Sequence, residues 1–322
     1  MISARGTESG LARAPSATLV TCALLAVIVI WGVGPPITKL ISAPPAVGAF
    51  LRFWLMVPLI WGLAYASGRR VTLVVLKRTA LAGALFGINM TFLFASLQHA
   101  SVAVISVVQA LTPGIVLLIA GPWLGERATL QHVLWTGLGI TGVIVVVIGG
   151  DPEVSGDAFG FIAAAISTLS FVGYYVINRH MRSTTTIDPL QWMAGVTLFA
   201  ALAVTPGAVI TASPDDFGRV GAADWAYLGF IAVVVGVISH VTMSWAHAYV
   251  PAARSSPALR GANVVAIGVA WPLHDEPVTW VQVAGGIVVL ASVLAILRKP
   301  TVAVVPRTRP SAEPDEPALP TV

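Results

Sequence analysis

Residues 93–129, LFASLQHASVAVISVVQALTPGIVLLIAGPWLGERAT, align without a gap on residues 243–279, MSWAHAYVPAARSSPALRGANVVAIGVAWPLHDEPVT. Ala103 then matches Ala253, Ser106 matches Ser256, Pro122 matches Pro272, Glu126 matches Glu276 and Thr129 matches Thr279. Each match is weak alone, but one uninterrupted register marks an internal duplication, and self-similarity of this kind decides an architecture before any local element does.

The solvent of this fold follows from composition. Hydrophobic residues make up 57% of the 322-residue chain and charged residues 10%, with a mean hydropathy of +0.87, where soluble domains carry roughly 25% charged residues. Apolar runs lie near 18–38, 46–67, 79–98, 101–121, 130–149, 158–177, 189–211, 224–248, 252–272 and 279–297. Runs of about 20 residues match a hydrocarbon slab roughly 30 Å thick. The expected fold class is therefore an all-α polytopic membrane protein of ten transmembrane helices. An odd number of spans per half places the second copy upside down, giving two inverted five-helix repeats. The expected organisation is a cytoplasmic tail over 1–16, a first repeat over 17–150, a second over 157–298 and a proline-rich disordered cytoplasmic tail over 299–322.

The formal charge of +4 and pI near 9.6 do not indicate nucleic acid, because the basic residues sit between apolar runs. With the N-terminus cytoplasmic, Arg69, Arg70, Lys77, Arg78, Arg127, Arg179, Arg182, Arg254, Arg298 and Lys299 fall inside, and only Lys39 and Arg219 fall outside. The positive-inside rule then puts both termini in the cytoplasm of a multi-pass cell-membrane protein. The first apolar stretch is too long for a cleaved signal core and reads as a retained anchor. Cys22, the single cysteine, allows no intrachain disulfide and no multi-thiolate metal site. GLGITG at 137–142 has the spacing of a dinucleotide loop but lies in an apolar run without a preceding strand, so close helix packing explains it. No cofactor is called for.

Several short motifs resemble the EamA-type members of the drug/metabolite transporter superfamily over roughly residues 20–297. The first span reads WGVGPPITKL from Trp31 to Leu40, with Lys39 at its far end; Arg52 in LRF stands at the family's arginine position. Pro113 and the closing GERAT with Glu126 follow in the fourth span, and Glu276 in HDEPVT answers Glu126. Asn263 stands where the second repeat often carries proline. The resemblance implies a ten-helix permease with a central cavity that moves small organic solutes, commonly outward.

Polar residues inside spans are functional candidates by default. Ser256, Arg260 and Asn263 recur at helical spacing in the ninth span, and His240, Ser244 and His247 do so in the eighth. Asn89 in the third and Gln109 in the fourth belong to repeat-related spans, while Trp31 and Tyr174 are candidate aromatic walls. The expected substrate-binding set is thus Arg260, Asn263, Ser256, His240, Asn89, Gln109, Trp31 and Tyr174. His240 is also the candidate proton-coupling residue, because histidine titrates near neutrality. His247 reads as interfacial. The two histidines are seven residues apart, roughly 10 Å along a helix, and cannot share a metal without other ligands. Arg52 lies close enough to a helix end to snorkel.

Asp224, the first residue of the 224–248 run, is the one acidic residue within an assigned span; Glu126 and Glu276 sit at helix ends, where they would cap the following helix. No carboxylate lies deeper, which argues against cation extrusion through an embedded carboxylate. The expected function is secondary transport of an amino-acid-like or other anionic or zwitterionic metabolite, as exporter or exchanger, by alternating access. Its partners are the solute and the bilayer, with homodimerisation left open. Two alternatives are an intramembrane enzyme on a lipid-linked substrate, which would need clustered carboxylates or a metal set that the sequence lacks, and a channel-like facilitator.

Overall fold

Helix starts in this chain are written in its short polar residues. Ser16 and Thr72 accept hydrogen bonds from the amides of Leu19 and Val75, opening α1 (Ala17–Lys39) and α3 (Leu73–His99). Pro45 occupies the first turn of α2 (Pro45–Ala66), where its missing N–H costs nothing. Gly68, at φ +70, closes α2, with the Arg69 amide bonded back to the Ala64 carbonyl. The computed structural model describes residues 15–100, 105, 108–124, 129–148, 157–274 and 279–297.

The remaining helices are α4 (Thr112–Leu124), α5 (Leu130–Ile148), α6 (Ala158–Thr184), α7 (Pro189–Thr211), the short α8 (Pro214–Gly218) and α9 (Ala222–Phe230). A π-helical stretch (Ile231–Ile238) runs from α9 into α10 (Ser239–Ala246), and α11 (Ala252–Ala258), α12 (Gly261–His274) and α13 (Trp280–Leu297) complete the chain. Asp157 caps α6 through the Gly160 amide. That bond, and then the contact with His99, hold its carboxyl below the usual range; Asp216 is lowered likewise by the Ser213 amide and hydroxyl. Asp188 and Gln191 form a capping box on α7.

Among the described residues, six helices are long and apolar enough to cross a membrane: α1, α2, α3, α6, α7 and the continuous run Ala222–Ala246. The other apolar helices are shorter. Ser106, Glu126, Glu276, Asp151, Glu153, Arg127, Arg298 and Lys299 fall outside the described residues, as do residues 1–14 and the tail over 299–322.

Packing repeats across the duplication. α2 packs on α7, α4 on α11 and α5 on α13, each element meeting its own counterpart. The α1–α12 contact is answered by α6–α4, and α3–α6 by α10–α1. Such pairing is what a pseudo-two-fold relation between halves produces. Without a hydrophobic force between helices in lipid, small residues that let backbones approach take over. A Cβ on Gly83 of α3 would lie 2.5 Å from Phe199 Cβ and 2.6 Å from the Val196 carbonyl of α7, and one on Gly32 of α1 would lie 2.7 Å from the Ala262 carbonyl of α12.

Two elements depart from the sequence reading. The ninth span is not one helix: it breaks at Leu259–Arg260 into α11 and α12, where amides of Arg260, Ala262 and Asn263 bond three residues back instead of four. In the repeat register Leu259–Arg260 match Gln109–Ala110, next to the turn at Leu111 that precedes Pro113 in α4. The second departure is α6, which extends seven residues past the expected end at 177 and so carries Arg179 and Arg182 inside the packed protein.

Candidate binding cavity

Pro113 sets the chemistry at the centre of the molecule. In an unbroken helix the Gln109 carbonyl would receive the amide of residue 113, but proline has none. The carbonyl instead accepts a 2.8 Å hydrogen bond from Nη1 of Arg260, which projects from the break between α11 and α12. The two broken elements of the two repeats thus meet through one guanidinium. Irregular backbone at membrane depth is tolerated only where it is buried or lines a cavity.

A cavity of about 140 Å3 lies at this point. Its walls come from α1 (Trp31, Thr38), α2 (Arg52), α3 (Asn89, Met90, Phe94, Leu97), the α4 region (Ile105, Gln109, Thr112), α6 (Thr168, Phe171), the α9–α10 run (Val235, His240) and the break (Arg260, Asn263). The π-helical turn explains one pair: with bonds spanning five residues, Val235 and His240 lie over one another and both reach the cavity. Thr38 and Leu97 stand next to the C-terminal ends of α1 and α3, so the cavity extends to that face of the protein.

Six of the eight expected site residues line this cavity together: Trp31, Asn89, Gln109, His240, Arg260 and Asn263. The other two stand behind it. Tyr174 stacks on Phe86 with centroids 4.6 Å apart, and its hydroxyl lies 3.3 Å from Nδ1 of His240, bracing the imidazole from beneath. Ser256 is buried in α11, its hydroxyl among the polar atoms that find no hydrogen-bond partner. His240 is packed between Trp31 and Phe86, with centroids 5.0 and 4.6 Å away, and the Trp31 indole N–H donates to Ser239 at 2.7 Å. Asn89 donates to the backbone and hydroxyl of Ser167 on α6, leaving its carbonyl oxygen unpaired.

Arg52 is the main addition. It does not snorkel: it is 4% exposed, against 8% for Arg260, and lines the same cavity. Its contact is a 3.4 Å bond from Nη1 to the Met90 sulfur, a weak acceptor. The Nε atoms of both arginines are buried without a partner. No carboxylate lines the cavity among the described residues. The site is cationic, with aromatic and aliphatic walls.

The opposite side of the protein is sealed. The Tyr175 hydroxyl of α6 bonds to Ser255 of α11. Arg179 donates to the His247 carbonyl, and Arg182 donates from Nε to the Ser244 carbonyl at 3.1 Å and from Nη1 to the Ile187 carbonyl. These guanidiniums meet the C-terminal, partially negative end of α10. His247 is therefore not interfacial but fully buried, with its ring edge-on to Tyr175 at 4.6 Å. The helix carrying His240, Ser244 and His247 divides the stripe, sending His240 to the cavity and the other two to the seal. Around them Val20, Leu24, Val27, Met243, Ala246 and Ala252 form a continuous apolar cluster.

A family model for the EamA-like transporter family matches residues 18–148 and again residues 158–298. One solved crystal structure is similar to the chain with a TM-score of 0.70 and 18% sequence identity, over 86% of this chain and 97% of its own; that likeness shows a common fold. No curated protein matches the sequence.

Proposed function

The chain belongs to the EamA-like transporter family, a multi-pass membrane protein that moves small solutes, and from that premise we propose a secondary transporter of a small organic anion or zwitterion. It crosses the bilayer ten times as two inverted five-helix repeats, 17–150 and 157–298, and works as exporter or exchanger by alternating access. The observation that carries this reading is the Arg260 guanidinium, buried in a cavity between the repeats, bonded to a backbone carbonyl rather than to an acid. Such an arginine is costly at membrane depth unless a ligand or water offsets it. The cavity reaching one face and the seal at the other are the features expected of one state in an alternating cycle.

The Lys and Arg asymmetry orients the cycle: the sealed side is cytoplasmic and the cavity faces outward. An impermeant maleimide applied to intact cells should then label Thr38→Cys; labelling only after permeabilisation would reverse the orientation.

Proteoliposome counterflow tests the function. Labelled organic acid should accumulate transiently and saturably when unlabelled acid is loaded inside, and lipid composition should not change. Lipid turnover without counterflow would favour the intramembrane enzyme, and unsaturable flux the channel-like facilitator. His240 carries the proton-coupling proposal because it lines the cavity. If counterflow varies with pH in the wild type, His240→Gln should flatten that profile while keeping hydrogen bonding; an unchanged profile would remove His240 from the coupling role.

A further inference from the structure

The cavity holds two buried arginines where one would suffice for a monoanion. Arg52 enters from α2, in the first repeat, beside Met90 of α3. Arg260 enters from the break in the second repeat, beside Gln109. Both are over nine-tenths buried, and each keeps an Nε donor with no partner. With no carboxylate lining the cavity among the described residues, the two like charges share one cavity without an acidic partner. The same lack leaves no charged partner for an ammonium group, only the neutral Asn89 carbonyl oxygen and the aromatic faces. An amino-acid zwitterion would pair one of its charges and strand the other, and an unpaired buried charge is the expensive outcome.

Resting on the transporter reading above, we infer that the transported solute is a small organic dianion with one acidic group on Arg52 and the other on Arg260. Guanidinium forks hold planar carboxylates or phosphates bidentately, and much of the remaining lining is apolar, Trp31, Phe94 and Phe171 included. The spacer between the acidic groups is accordingly a short hydrocarbon or ring. Asn263, whose side-chain nitrogen is buried without a partner, adds a neutral donor near Arg260.

The test is a thermal-shift and equilibrium-binding series on the purified full-length protein. Short α,ω-dicarboxylates are compared with monocarboxylates of equal length and with α-amino acids. One dicarboxylate length should bind at least about tenfold tighter than its monocarboxylate partner, about 1.4 kcal/mol. Arg52→Gln and Arg260→Gln should each reduce that dicarboxylate to monocarboxylate affinity, and the double variant should lose binding of both acids. Arg52→Lys should retain part of the preference, which separates charge recognition from misfolding. Equal affinity for mono- and dicarboxylates, or tightest binding of an amino acid, would overturn the dianion. Counterflow of a monoanion or zwitterion with no dicarboxylate preference would overturn it too while leaving the transporter standing; absence of any counterflow would remove both.

Discussion

Arg260→Gln is expected to lower affinity for anionic solutes by roughly 30- to 150-fold, about 2–3 kcal/mol, as truncating one side of a buried charge-assisted pair does. Arg260→Lys should recover only part of it, because a lysine supplies a point charge where a planar fork is required. The prediction has a second half that separates binding from architecture. In the apo protein the Arg260 guanidinium is desolvated, with one hydrogen bond to Gln109 and an unpaired Nε. Removing it relieves a buried charge, so the apo melting temperature of Arg260→Gln should not fall. A large apo destabilisation with unchanged relative ligand affinity would mean that Arg260 is a strut between the broken elements and not a binding group. Pro113→Ala offers an independent probe. It restores an amide that competes for the Gln109 carbonyl, and so it should weaken anion binding without touching the ligand.

The largest effect on folding is expected at Gly83. A Cβ there meets Phe199 Cβ and the Val196 carbonyl at 2.5 and 2.6 Å, so even alanine must separate the α3 and α7 backbones. Gly83→Ala should cost about 1–3 kcal/mol as overpacking does, and Gly83→Leu should abolish recovery of monodisperse protein. Gly62 provides the control. It lies in α2, where an added Cβ would meet nothing within 4 Å, and alanine there should be neutral or stabilise by up to about 1 kcal/mol through helix propensity. Fluorescence-detected size exclusion with a heating step measures both. Equal behaviour of Gly83→Ala and Gly62→Ala would show that the close α3–α7 approach does not govern stability.

Much of this was legible in the sequence because the relevant signals are long or chemically expensive. Apolar runs report span positions, and the register between 93–129 and 243–279 pointed to paired elements that do meet, α4 with α11. Buried polar residues stood out for their cost, which is why Trp31, Asn89, Gln109, His240, Arg260 and Asn263 converge on one cavity. Local irregularity was harder to read. Periodicity treats the ninth span as one helix, whereas the turn at Leu259–Arg260 splits it. The π-helical turn before His240 leaves no mark in an apolar run.

Arginines near helix ends were ambiguous for a physical reason. Snorkelling and inward packing use the same flexible stem, and only the neighbours decide. At Arg52 the neighbours are Met90 and the cavity. At Arg179 and Arg182 they are carbonyls of the α10 terminus. The spacing of Tyr175, Arg179 and Arg182 on one face of α6 was the available signal for a seal. Each charged-to-neutral bond in it is worth about 1.5–3 kcal/mol, few enough to be exchanged during a cycle.

Alternation of the cavity between the two faces is the central claim, and side-specific thiol labelling in a Cys22→Ser background tests it most directly. Thr38→Cys reports the open face and Ser255→Cys, behind Tyr175 in the seal, reports the other. Without ligand, Thr38→Cys should react with an impermeant maleimide from its own side while Ser255→Cys stays protected. Under exchange conditions with saturating transported anion, Ser255→Cys should become reactive from the opposite side as Thr38→Cys labelling slows. Reactivity at both positions that does not respond to the anion, or simultaneous full labelling of both, would contradict alternating access.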